Sequence, residues 1–266
     1  MRFDDKVVVV TGGGNGIGRQ VVLELLRRGA VVAAVDIRRE SLDETLGLAD
    51  RGEGLSTHVL DITDRDATAG LAGKVIAEHG AVDGVINVAG IIQPFVKLND
   101  LDYQAIERVI DVNLYGTIHV VKTFLPHLLE RPVAHIANVS SMGGFLPVPG
   151  QTIYGASKAG VKLMTEGLYA ELLETNVVVT VVLPGAVGTD ISVNSGVDVP
   201  GGAAGEGSNY RMTSPEDAAK IILDGMEEDR LHIYVGRDSR MMNLAVRVAP
   251  RRSTHMIYRQ MRHLLE

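Results

Sequence analysis

The chain has 266 residues, 45% hydrophobic and 4% aromatic with 30 glycines, which suits one large α/β domain or two small ones built on aliphatic strands. A formal charge of −7 argues against nucleic-acid binding, which needs a clustered positive surface. The lack of cysteine excludes disulfides, thiolate metal sites and a cysteine nucleophile, and the eight histidines show no spacing that suggests a metal.

The first six residues, Met1-Arg2-Phe3-Asp4-Asp5-Lys6, are too charged for a signal peptide. No segment approaches the roughly 20 apolar residues that cross a bilayer. A cytoplasmic protein is expected. Val7–Val10 then reads as a strand, and Thr11–Gly18 as a glycine-rich turn opening a helix over Ile17–Arg28. Strands over Val31–Val35 and Leu55–Leu60 alternate with helices over Arg39–Ala49 and Arg65–Glu78. Further on, Val82–Val88, Val133–Val139, Val177–Leu183 and His232–Val235 read as strands, with helices over Tyr103–Leu129, Tyr154–Glu174 and Pro215–Glu228. Continuous apolar strands alternating with amphipathic helices predict a doubly wound, Rossmann-type parallel sheet of about seven strands with helices on both faces. Residues 1–266 carry no linker or repeat, so one domain is expected.

Two segments stand apart. Five glycines within Ser195–Ser208 predict a substrate lid over about residues 190–213. The tail, about residues 239–266, is predicted to be helical and basic. From Arg237 onward seven arginines face only Asp238 and Glu266, a local +5 that leaves −12 for the rest. Pro250 splits it, and Ile257, Met261, Leu264 and Leu265 make one apolar stripe. Packing on the substrate lobe or a neighbouring subunit is favoured over a membrane surface.

Gly12, Asn15, Gly16, Ile17 and Gly18 suit a dinucleotide pyrophosphate, because glycines admit the backbone closely and a helix start offers free N–H groups. Asp36, at the end of the second strand, can accept from both adenosine ribose hydroxyls and repel a 2′-phosphate, so NAD is favoured over NADP despite Arg38 and Arg39. A cap on the next helix is the plain alternative. Asp61 and Ile62 end the third strand, and Asn87, Ala89 and Gly90 the fourth, on the sheet edge where ligands bind.

Hydride transfer at a carbinol carbon needs a matching proton transfer at oxygen. Tyr154 and Lys158 are one helical turn apart, and an ammonium there favours the phenolate. Ser141, thirteen residues before the tyrosine, can hold the substrate oxygen, with Ser140 as a neighbouring decoy. Asn113, a poor helix former within a helix, could support an ordered water or simply satisfy backbone groups.

Taken together, Thr11–Gly18, Asn87-Val88-Ala89-Gly90, Asn113, Ser141, Tyr154-x-x-x-Lys158 and Pro184-Gly185 resemble the short-chain dehydrogenase/reductase family over about residues 5–190. The resemblance implies Tyr154 as catalytic acid/base and Lys158 as its partner and a nicotinamide-ribose ligand. It further implies Ser141 as substrate-oxygen binder and Asn113 as proton relay, with Pro184, Gly185, Val187 and Thr189 at the carboxamide. Val88 departs from a frequent second asparagine. An oxidoreductase acting on an alcohol or ketone is expected, set against an epimerase or dehydratase on the same scaffold and a non-catalytic NAD-sensing regulator.

The substrate is expected to be apolar. Ile91, Ile92, Phe95 and Val96, then Met142, Phe145, Leu146 and Val148, then Ile191 and Val193, should border the crevice, and none of these segments carries an arginine. A homo-oligomer, tetramer or dimer, is expected from surplus apolar positions on the long helices.

Overall fold

Seven short apolar runs become strands: β1 (Val7–Thr11), β2 (Val31–Asp36), β3 (Leu55–Val59), β4 (Gly84–Asn87), β5 (Ala134–Val139), β6 (Val177–Pro184) and β7 (His232–Val235). In this computed structural model, which describes residues 1–49, 54–198 and 212–265, they form one parallel sheet in the order β3-β2-β1-β4-β5-β6-β7. The helices are α1 (Gly16–Arg27), α2 (Arg39–Leu48), α3 (Arg65–Ala69), α4 (Leu71–His79), α5 (Tyr103–Ile110), α6 (Thr117–Leu129), α7 (Thr152–Glu171), α8 (Ile191–Ser195), α9 (Pro215–Glu227), α10 (Arg237–Val248) and α11 (Pro250–Met261).

Alternating strand residues feed two cores. Val8 and Val10 pack with Val22 and Leu25 of α1 and Ile222 and Leu223 of α9. Val7 and Val9 face the other side, with Val75 of α4, Phe124 of α6 and Leu168 of α7. Both faces are therefore apolar, which is why these strands read as unbroken hydrophobic runs.

The structure corrects the helix expectations in three places. The segment expected as one helix over Arg65–Glu78 divides at Gly70, a weak helix former between α3 and α4. The long helix from Tyr103 contains a π-helical turn at Asp111–Gly116 between α5 and α6. The tyrosine-bearing helix begins two residues earlier, at Thr152.

Within the expected lid, residues 199–211 lie outside the described residues. Of the rest, α8 is helical and Val187 pairs with Thr213. The tail forms α10 and α11, meeting at Ala249 and Pro250. Ile257 of α11 buries against Leu146 and Met242, with Met261 packed on the same cluster, and Leu264 is also buried.

Candidate active site

Strand order reverses between β1 and β4, which opens a crevice beyond their C-terminal ends. A cleft of about 690 Å³ lies there. Of the expected cofactor contacts, Gly12, Asn15, Gly16, Ile17, Gly18, Asp36, Asp61, Ile62, Ala89, Gly90 and Thr189 line it. Asn87, Pro184, Gly185, Val187, Tyr154 and Lys158 do not. Asn87 in particular is turned into the sheet, where its amide donates to Asn138 Oδ1 at 2.8 Å, and Asn138 in turn donates to Thr165 at 3.0 Å.

The glycine turn is built for close approach. Gly12 has φ +69°, and a Cβ there would lie 2.9 Å from the Ala89 backbone. A Cβ on Gly18 would run into the Gly12 carbonyl oxygen. Asn15 caps α1 by accepting from the Gly16 N–H at 2.6 Å. Asp36 Oδ2 accepts from the Gly14 N–H at 3.0 Å and Oδ1 from the Arg38 N–H at 3.1 Å, so the carboxylate braces the turn and does not cap α2. The Arg38 guanidinium donates to Asn194 Oδ1 at 2.7 Å, which ties the segment after β2 to α8. Asp61 Oδ1 accepts from the N–H and hydroxyl of Thr63, while Asp64 caps α3.

Gly90 joins this cleft to the chemical group: a Cβ there would lie 3.0 Å from Lys158 Nζ and 3.1 Å from Asn113 Oδ1. Lys158 is 4% exposed, and its Nζ donates to the Val139 carbonyl at 3.0 Å. Burial lowers its pKa to about 8. Burial pushes the Tyr154 phenol above its ordinary value, and a hydrogen bond with Ser141 opposes that rise. Ser140 is separated from the site, since its hydroxyl donates to the Lys158 carbonyl.

Asn113 sits in the π-helical turn and is fully buried. Its Oδ1 accepts from the Ile91 N–H, and its Nδ2 donates to the Ile91 carbonyl and the Ser157 hydroxyl, all at 2.9–3.0 Å. The widened turn is what brings this side chain to the β4 loop, as π-bulges often do at functional sites.

Several supporting residues were not apparent in the sequence. Gln93 is fully buried and its carboxamide contacts the start of α7. Asp238 accepts from the Ala186 N–H at 2.9 Å, and a Cβ on Gly185 would collide with that carboxylate. Thr11 Oγ1 accepts from the N–H groups of Val88 and Ala89, while the Val88 side chain packs on the core. Each joins segments far apart in the chain, and no local pattern marks them.

The substrate side is only partly as expected. Ile91 and Ile191 line the cleft. Leu146 is 2% exposed and, with Met142 and Phe145, packs against α10 and α11, whereas Val193 is 75% exposed to solvent. No cluster of metal ligands occurs among the described residues, and no described helix is long and apolar enough to cross a membrane.

The family model for short chain dehydrogenase matches residues 6–199. SadH of Mycobacterium tuberculosis, named as an oxidoreductase, is 35% identical over 253 residues, which covers 92% of this chain and 91% of SadH. The 3-oxoacyl-(acyl-carrier-protein) reductase FabG of Thermotoga maritima is 36% identical over 229 residues, covering 84% of this chain and 91% of the relative. A short-chain dehydrogenase of Burkholderia cenocepacia, solved in complex with NADP, superposes with a TM-score of 0.81 at 26% identity over 97% of this chain and 99% of that one. A second, from Burkholderia phymatum in complex with NAD, shares the fold with a TM-score of 0.82 at 24% identity, covering 93% and 96%. The glycine turn, the Asn113 turn, Ser141 and the Tyr154–Lys158 pair all fall within the matched residues, and the chain belongs to the short-chain dehydrogenase family of oxidoreductases.

Proposed function

We propose that the chain transfers a hydride between NAD and an apolar secondary alcohol or the corresponding ketone. The observation that carries this reading is that Ser141 Oγ and the Tyr154 ring both border Gly143, beside a glycine-walled cleft that meets Lys158 at Gly90. The cleft fits a dinucleotide: its wall at Gly12 is closed to any Cβ, its helix start offers N–H groups, and Asp36 presents a carboxylate. Bound nicotinamide would supply the hydride acceptor or donor.

The remaining work falls to this chain. Tyr154 takes the hydroxyl proton in oxidation and returns it in reduction, while Ser141 holds the substrate oxygen. Lys158 supplies positive charge at Gly90. The Asn113 side chain is committed to Ile91 and Ser157, so a relay at this residue would use its carbonyl oxygen. That main-chain oxygen accepts from the Thr117 hydroxyl at 2.8 Å.

NAD is favoured because Asp36 presents a carboxylate to the cleft, and Arg38, which also lines it, donates to Asn194. An apolar substrate is favoured by Ile91 and Ile191 in the wall, and the FabG relative, by its name, reduces a ketone on an acyl chain. A panel of alcohols and ketones with NAD and NADP, followed by nicotinamide absorbance, tests both choices. Fastest turnover on apolar members with NAD is expected; a small polyol or charged sugar as the best substrate would contradict it. We also propose a homo-oligomer, dimer or tetramer, because Tyr103, Leu163 and Leu173 are 81%, 70% and 62% exposed. A monomer by light scattering at micromolar concentration would refute it.

A further inference from the structure

We propose that Gln93 is a positioning residue that sets the placement of Tyr154. This inference rests on the reading of Tyr154 as the acid/base. Gln93 lies in the loop after β4, sixty residues before Ile153 of α7, and is fully buried. Its Oε1 accepts from the N–H groups of Ile153 and Tyr154 at 2.8 and 3.0 Å, and its Nε2 donates to the Gly150 carbonyl at 2.9 Å. The Gln93 main-chain carbonyl accepts from Gln151 Nε2 at 2.7 Å.

The first N–H groups of any helix lack partners within it. Gln151, at the cap position of α7, makes no side-chain cap bond, so Gln93 supplies from a distant loop the acceptor that a local cap ordinarily provides. Two features make this more than a generic cap. One of the captured N–H groups belongs to Tyr154 itself, and Gln93 is two residues from Ile91, which Asn113 holds from the other side. The wall of the crevice and the proton-transfer residue are thereby fixed to one another.

The chemistry also selects glutamine. The site needs one acceptor for two N–H groups and one donor for a carbonyl, without charge near the phenol. A carboxylate would satisfy the N–H groups but face the Gly150 carbonyl oxygen, and its charge would oppose phenolate formation. A protonated carboxylic acid would reproduce the whole pattern.

Gln93→Leu and Gln93→Glu test the proposal, each measured for kcat and KM across pH beside the wild type and Tyr154→Phe. Gln93→Leu should lower kcat about tenfold or more, since small misplacements of reacting groups cost up to about a hundredfold, while NAD binding changes less than about threefold. Gln93→Glu should approach wild-type kcat at low pH, where the acid is neutral. Its kcat should then fall as the carboxyl ionises, over a range in which wild-type oxidation rises. A Gln93→Glu profile parallel to wild type, or Gln93→Leu within about twofold of wild-type kcat, would overturn the proposal. If Gln93→Leu does not fold, the Gln93→Glu profile decides alone. Activity surviving in Tyr154→Phe would instead defeat the underlying reading, whatever the Gln93 variants do.

Discussion

The Ser140 hydroxyl donates to the main-chain carbonyl of Lys158 at 2.7 Å, so this serine anchors α7, whereas its neighbour Ser141 is the one proposed to hold the substrate oxygen. The two substitutions should therefore separate by kind. Ser140→Ala leaves a buried carbonyl without its partner and should cost about 1–3 kcal/mol of stability, with activity largely kept. Ser141→Ala should lower kcat/KM about a hundredfold or more with a smaller change in melting temperature. Thermal melts and initial rates on both variants check this, and the reverse ranking in rate would assign the roles to the wrong serines.

Asp36 braces Gly14 and Arg38 as well as facing the cleft. Asp36→Ala should weaken NAD binding and narrow the gap to NADP, because ribose acceptors and phosphate repulsion are lost together. Titration of both cofactors against both proteins measures it. Tighter binding of NADP than NAD by the wild type would refute the argument.

Lys158 links the site to stability. Its pKa is about 8 in the folded chain against 10.5 for the ordinary side chain. Between those values the unfolded state holds the extra proton, so this group makes stability rise with pH. Below pH 8 the cost of a buried charge is fully present, and it vanishes above pH 10.5. Lys158→Met should therefore gain stability relative to wild type at neutral pH by up to about 3 kcal/mol, offset by the lost Val139 hydrogen bond. That relative gain should shrink as pH rises through the window. Denaturant unfolding at several pH values checks it; a pH-independent difference would show that the lysine is not desolvated.

Ile257 is 6% exposed and belongs to the cluster that joins α11 to Leu146 and Met242. Ile257→Ala should cost about 2 kcal/mol or more, with NAD affinity unchanged, since none of these residues lines the cleft. Unfolding curves and cofactor titration on one preparation suffice. A large loss of NAD affinity without loss of stability would put the tail in the cofactor site.

What the sequence could reveal follows from the range of the interactions. The strands were legible because Val7–Thr11 and its counterparts are buried on both faces, and the tail's stripe because Ile257 and Leu264 repeat at helical spacing. Ser141, Tyr154 and Lys158 were recognisable by type and spacing, and Ser141 Oγ and the Tyr154 ring both border Gly143. The π-helical turn was not legible: Asp111–Gly116 is rich in weak helix formers, but that composition does not distinguish a widened turn from an ordinary one, and the bonds of Asn113 to Ile91 are seen only in the structure. Gln93 was hidden for the same reason, since its partners lie about sixty residues away. Leu146 and Val193 show the limit of apolarity as a guide, one being consumed by packing and the other left in solvent.

The most direct test of the account is turnover by Tyr154→Phe, measured with an apolar alcohol and NAD alongside cofactor binding by the same protein. The substitution deletes the transferable proton and little else. Activity should fall below about a hundredth of wild type while NAD affinity stays within severalfold, because the cleft is lined by other residues. Activity retained above that level, with binding intact, would place the proton transfer on another group and contradict the account.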